Sequence, residues 1–192
     1  MSAGRLAART VIGGLFIGHG TQKLFGWFGG PGRAGTEGMM ESLGMRPAKL
    51  NALAAGGTET VAGALLATGL ATPLAAATLT GVMTTAIKKV HLSNGPWAAN
   101  GGWEYNAVLI AAVIALTESG PGAFSLDQAL GIKRCGPAWA LGALVVGVGT
   151  ATATMAAAGR SSAATAAVVD AAAAAAAAAA TDTAGDPTTA GA

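Results

Sequence analysis

Apolar residues run through this chain in long unbroken stretches, separated by short polar segments rich in glycine and proline. A helix needs about 20 mostly apolar residues to cross roughly 30 Å of hydrocarbon. Leu6 to Leu24 meets that length, with Arg5 and Arg9 at its start and Lys23 at its end. Gly26 to Pro47 is polar and Gly-rich and reads as a loop. Ala48 to Val90 is apolar for much longer than one span, and Ala71-Thr72-Pro73 divides it. Proline disfavours helical geometry in the residue before it and often opens the next helix. The pattern therefore predicts one helix over Ala48–Leu70 and another over Pro73–Val90, joined by a tight turn.

His91 to Gly102 reads as a loop, with Asn94-Gly95-Pro96 as its turn signature. Trp103 to Ser119 is a fourth span, closed by Gly120-Pro121-Gly122, and Leu126 to Arg134 a short surface helix or loop. Pro137 to Gly159 is a fifth apolar run free of charge. Beyond Arg160 the chain is Ala, Thr, Ser, Gly and Asp, with ten consecutive alanines at 171–180. Alanine favours helix, yet so short a run is marginal alone in water, so 161–192 is expected to be a frayed helix or disordered tail. The expected fold is all-α: a membrane-embedded four-helix bundle over 1–131, an additional transmembrane helix over 132–160, and the tail.

Composition agrees. Of 192 residues, 10% are charged and 52% hydrophobic, and the mean hydropathy is +0.53. A soluble domain carries roughly 25% charged residues. Intrinsic disorder pairs low hydrophobicity with many charges, and nucleic-acid binding needs a clustered basic face. A net charge of +2 with scattered Lys and Arg offers neither. The remaining partner is the lipid bilayer. No small-x-small cleavage site follows the first apolar run, so that helix is expected to be retained rather than removed as a signal peptide. With five spans, Arg5, Arg9, Lys133 and Arg134 share one face; Lys23, Arg33, Arg46, Lys49, Lys88, Lys89 and Arg160 share the other. Positive-inside counting, seven against four, assigns the second face to the cytoplasm.

Ionisable residues within spans are costly, face the protein interior, and are candidates for function. At about 100° per residue, Arg5, Arg9, His19 and Lys23 fall within an arc of roughly 80°, one basic stripe along the first helix. Snorkelling to the interfaces accounts for part of that stripe. Glu59 sits near the middle of the second helix, flanked at helical spacing by Ala52, Ala55, Gly56, Ala62, Gly63 and Leu66. Small residues let another helix approach closely, so Glu59 is expected to face protein. The alternating topology gathers His19, Lys23, Lys88, His91, Glu104 and Asn106 at one mouth of the bundle. An aromatic belt explains Trp27, Trp97, Trp103 and Tyr105 at the same level.

Other signals are weaker. Gly30-Pro31-Gly32-Arg33-Ala34-Gly35 matches G-x-G-x-x-G literally, but it lacks the strand–turn–helix setting of a dinucleotide site. It reads as a flexible interfacial loop. Cys135 is the lone cysteine, which excludes an internal disulfide or a C-x-x-C pair. His19 and His91 could serve as axial haem ligands, a reading disfavoured by the two lysines beside His91. No metal site, Ser-His-Asp or paired-carboxylate constellation is legible.

The run His19-Gly20-Thr21-Gln22-Lys23-Leu24-Phe25-Gly26-Trp27-Phe28-Gly29-Gly30-Pro31-Gly32 closely resembles the signature of DoxX-family membrane proteins. Glu59 in its small-residue helix and Gly120-Pro121-Gly122-Ala123-Phe124-Ser125-Leu126-Asp127 support it by order and spacing. The resemblance covers about residues 5–131. It implies a four-helix bundle in the bacterial cytoplasmic membrane and a redox association. DoxD belongs to a thiosulfate:quinone oxidoreductase, and a DoxX relative forms a membrane complex with superoxide dismutase and a sulfurtransferase. By motif it also implies Arg9, His19, Lys23, Glu59 and Glu104 as functional residues.

The resulting expectation is a membrane component of a redox system, with a quinone or similar lipid-soluble molecule in the bundle. Lys23 or His19 would donate to a carbonyl while Glu59 or Glu104 handles the proton. No cofactor site is evident in the chain itself, so redox-enzyme subunits would supply electrons; a homo-oligomer is the other partner considered. The alternatives are a non-catalytic scaffold for redox or stress enzymes and a small-molecule carrier, the latter weakened by the lack of an inverted repeat.

Overall fold

The computed structural model describes residues 3–183, and among them the chain is all-α, with no strand. Helix α1 spans Ala3–Phe25 and stops where Gly26 turns left-handed at φ 74°. A single 3-10 turn, Trp27–Gly29, leads to α2 over Gly32–Ser42. The segment expected as a loop thus holds a helix, and the G-x-G-x-x-G match runs into its first turn rather than forming a flexible loop. Glycine costs such a helix local stability, but tertiary packing of one face compensates. Thr36 and Met40 are buried on that face, and the Thr36 hydroxyl reaches the Lys23 carbonyl oxygen at 3.2 Å.

Helix α3 spans Ala48–Thr68 and ends in left-handed Gly69; α4 spans Thr72–Ala86 with Pro73 in its first turn. A π-helical turn over Ile87–His91 prolongs α4. Two 3-10 turns, Leu92–Asn94 and Ala98–Asn100, cross to α5 at Glu104–Ser119. A four-residue α6, Leu126–Ala129, precedes α7, which runs unbroken from Pro137 to Thr183. The Ala-rich segment is therefore continuous with the preceding apolar run as far as Thr183; 184–192 lie outside the described residues.

Only α7 among the described helices combines the length and apolar composition needed to cross a bilayer, over Pro137–Ala174. Helices α4 and α5, at 15 and 16 residues, are shorter than one span, while α1 and α3 are diluted by glycine, threonine and charge.

Helices α1 and α3 make the most extensive contact, and they run antiparallel. The contact is glycine against backbone. A Cβ on Gly13 would lie 2.5 Å from the Gly63 carbonyl oxygen, and one on Gly20 would meet the Gly56 carbonyl oxygen at the same distance. The sequence shows why two points suffice: Gly13 and Gly20 are seven residues apart, as are Gly56 and Gly63, which is two helical turns on each helix. On the other side of α3, helix α4 packs against α3, α5 and α7. Leu66, Ala75, Ala76, Leu79, Val113 and Ala143 form the centre of this core. Helices α1 and α5 scarcely touch. That seam is where the site lies.

Candidate functional site

Helices α1 and α5 are held together at one end only. There Arg5 donates through Nη1 to the Ser119 carbonyl oxygen at 2.5 Å, and Arg9 through Nη2 to Phe124 at 2.7 Å. Arg9 is fully buried, packed on Gly69, where any side chain would collide with the guanidinium. Asp127, also buried, organises the same end. Its carboxylate accepts from the Ala71 and Thr72 amides at 2.9 and 3.1 Å and from the Thr72 hydroxyl at 3.0 Å. Its own amide donates to the Gly69 carbonyl oxygen at 2.9 Å. These bonds hold Ala71 at φ 49°, an unfavourable conformation for a residue with a Cβ, and they satisfy amides that open α4. Sequence reasoning placed Asp127 in a surface segment; it is instead the plug of the α3–α4 turn.

At the other end the seam parts into a cleft of about 400 Å³, within the range of small-molecule sites. Helix α1 contributes Leu15, Phe16, His19 and Lys23, and α5 contributes Tyr105, Asn106 and Leu109. Glu59 of α3 and Met83, Ala86 and His91 from the α4 side complete the wall, and Ala98, Gly101 and Gly102 come from the α4–α5 connection. Lys23 Nζ and Glu59 Oε2 form an ion pair at 2.6 Å. Glu59 is 5% exposed and Lys23 19%, so this pair is largely shielded. Glycines 56 and 63 bracket Glu59 and allow the close approach of α1 that brings Lys23 within reach.

Three of the remaining polar side chains have a defined partner. His19 Nδ1 lies 3.1 Å from Gln22 Oε1, and Gln22 Nε2 points to the Phe28 carbonyl oxygen at 3.5 Å. His91 Nδ1 lies 2.7 Å from the Gly101 carbonyl oxygen. Asn106 Nδ2 donates to the Met83 thioether at 3.2 Å.

Five of the eight sequence-selected residues thus meet in one cleft: His19, Lys23, Glu59, His91 and Asn106. Three do not. Arg9 is at the opposite end. Lys88, within the π turn, is exposed and does not line the cleft. Glu104 accepts from the Ala98 amide at 2.6 Å and so braces the connection rather than lining the cleft. The apolar wall, Leu15, Phe16, Met83 and Leu109, was not anticipated. Its members look like ordinary core positions until α1 and α5 are seen to separate. Tyr105, assigned to an interfacial belt, stands at the rim, half exposed.

Residues 4–92 match the DoxX family model. This stretch of the chain is a DoxX domain. The match takes in α1 to the end of the α4 extension, and with it the Lys23–Glu59 pair, His19 and His91. The α5 wall of the cleft and the Asp127 plug lie beyond the matched residues. No curated protein and no solved structure matches the chain significantly. A membrane protein of the DoxX type accords with the apolar composition and the length of α7.

Proposed function

We propose that this DoxX-type protein is a multi-pass component of a redox-associated system in the bacterial cytoplasmic membrane and binds a quinone or similar lipid-soluble molecule in the α1/α5 cleft. In this reading α1, α3, α4 and α5 form a membrane-embedded four-helix bundle with α7 as a fifth span. The π turn extends the helical path of α4 to His91, about 30 Å at 1.5 Å per residue.

The observation that carries the proposal is a shielded Lys–Glu pair at 2.6 Å in a cleft whose flanks are Leu15, Phe16 and Leu109. Shielded ion pairs inside a membrane domain are costly and are tolerated chiefly where they serve a ligand or proton path. The lining is polar at the pair and apolar along the seam, which suits a polar ring bearing a hydrocarbon tail. Leu15, half exposed on the rim, would give a tail access from the bilayer. Within this frame Lys23 is the hydrogen-bond donor to an oxygen of the ring and Glu59 the adjacent proton acceptor. His19 is less suited to donation, since its Nδ1 already faces Gln22. Electrons would pass to or from a partner subunit.

Extraction of lipids from protein purified in mild detergent tests this reading. One quinone per chain is expected, lost in Glu59→Gln and in Lys23→Met. A second reading, a scaffold that recruits redox enzymes, draws support from α7: at 47 residues it is about 70 Å long, and residues 163–174 on it are exposed. Co-purifying soluble enzymes without quinone would favour it.

A further inference from the structure

The connection between α5 and α7 forms an amphipathic cap on the closed end of the bundle. Residues 120–135 leave and return side by side. The Gly136 amide donates to the Glu118 carbonyl oxygen at 2.9 Å, and a Cβ on Gly120 would meet that of Cys135 at 3.2 Å. A loop closed in this way is shaped by its own contacts. Its polar contacts run inward. Arg5 and Arg9 donate to the carbonyl oxygens of Ser119 and Phe124, and Asp127 holds the α3–α4 turn. The Ile132 amide folds the chain back onto the Asp127 carbonyl oxygen at 2.8 Å. The loop therefore lies across the start of α1 and the turn between α3 and α4. Its outer face has a different character. Phe124 is 68% exposed and Leu130 64%, and Leu126 is exposed as well. Lys133 and Arg134 follow, both exposed. Asp127 is the sole acidic residue of the loop, buried and spent on backbone amides, so the charge presented outward is positive.

Large apolar side chains exposed beside paired cations are out of place in water and suited to the boundary between acyl chains and head groups. Resting on the reading of the bundle as membrane-embedded, we propose that this cap is a binding surface for the head group of an anionic phospholipid. Phe124, Leu126 and Leu130 sit among the first acyl carbons, and Lys133 and Arg134 meet the phosphate. The position of the cap agrees with this partner. The loop joins the end of α5 to the start of α7, and Trp139 stands half exposed in the first turn of α7. Indole rings favour the membrane–water interface. Long basic side chains reach a phosphate from an apolar footing by snorkelling. One such contact at an anionic surface is worth about a fivefold preference. The apolar half distinguishes a lipid from a soluble anion, which would leave all three apolar side chains in water. Phe124 meets Arg9 through its backbone carbonyl, so the loop is anchored while the ring stays outward.

The test uses the full chain in phosphatidylcholine vesicles at physiological ionic strength. Cys135 is the single cysteine and is exposed within the cap, so it takes a fluorescent donor without any substitution. Energy transfer to trace phosphatidylglycerol with an acceptor on its acyl chain is compared with transfer to phosphatidylcholine carrying the same acceptor. The anionic lipid is expected to be enriched about fivefold around the label. In the double variant Lys133→Gln and Arg134→Gln the two lipids are expected to become equal. The double variant Phe124→Ser and Leu130→Ser alters only exposed side chains; it is expected to lift the cap toward water and raise quenching of the label by aqueous iodide. Equal transfer to the two lipids in the wild type, or enrichment that survives loss of both cations, overturns the head-group surface and leaves the membrane-embedded bundle standing. Unchanged iodide quenching overturns the apolar footing. Release of the unlabelled chain from the vesicles by alkaline carbonate overturns the embedded bundle and the surface together.

Discussion

The two ends of the α1/α5 seam use the same kinds of residue to opposite effect. At one end stand a buried arginine and a buried aspartate, at the other a shielded lysine and a shielded glutamate. Asp127 has every contact directed inward, to Ala71 and Thr72 amides and a hydroxyl, and no cavity adjoins it among those described. Glu59 has a single hydrogen-bonded partner, Lys23, and opens onto space. Buried charge alone is thus a poor guide to function. What distinguishes the two carboxylates is whether the group is consumed by the backbone, as at Asp127, or left with capacity facing a cleft, as at Glu59.

That contrast can be broken most severely at the closed end. Asp127→Ala would remove three hydrogen bonds from the α3–α4 turn and leave Arg9 without a nearby counter-charge. Loss of one partner from a buried charge arrangement typically costs about 3–5 kcal/mol. Thermal unfolding in detergent should show a destabilisation of that order, and ligand affinity of the surviving folded protein should be unchanged. An altered affinity with unaltered stability would reverse the assignment of the two ends. The α1–α3 contact comes next. Gly13→Leu places a side chain where a Cβ already meets the Gly63 backbone, an overpacking expected to cost about 1–3 kcal/mol. The same melting assay should also report diminished binding, because the wall carrying Lys23 would move.

At the open end the expected pattern inverts. Glu59→Gln should lower stability by about 1 kcal/mol, the amide retaining hydrogen-bonding capacity toward Lys23. Yet ligand retention should fall at least tenfold, measured as the quinone recovered per chain after purification in mild detergent. A large stability loss with unchanged binding would make Glu59 a second Asp127. The smallest effect is expected from Glu104→Gln: its oxygen still accepts from Ala98 in an exposed setting, so the melting temperature and affinity should both stay close to wild type.

Much of this architecture was written in the residues. Apolar runs and the Pro73 break marked the helices, and small residues around Glu59 correctly indicated a helix opposite it. Angular position along α1 also picked out Lys23 and His19. What a helical wheel cannot register is depth. Arg9 and Lys23 share a face, yet 14 residues separate them, about 21 Å along the axis, so they belong to different ends. Lys88 illustrates a second blind spot, since it lies in a π turn that alters the phase a 3.6-residue period assumes. Asp127 was hidden because its partners, Ala71 and Thr72, lie over 50 residues earlier and only the folded chain unites them. Helix α2 was hidden because its glycines read as a loop until Thr36 and Met40 gain neighbours to pack on.

The paired glycines of α1 and α3 act as a two-toothed key. One such contact would fix the spacing of two rods but still allow one to slide or roll along the other. Two contacts, two turns apart, remove both freedoms, so the azimuth of every residue on α1 is locked relative to α3. Lys23 consequently meets Glu59 by indexing, not by seeking it. A single residue inserted between Gly20 and Lys23 would swing the lysine by about 100°, away from the glutamate, while leaving every apolar residue before it in place.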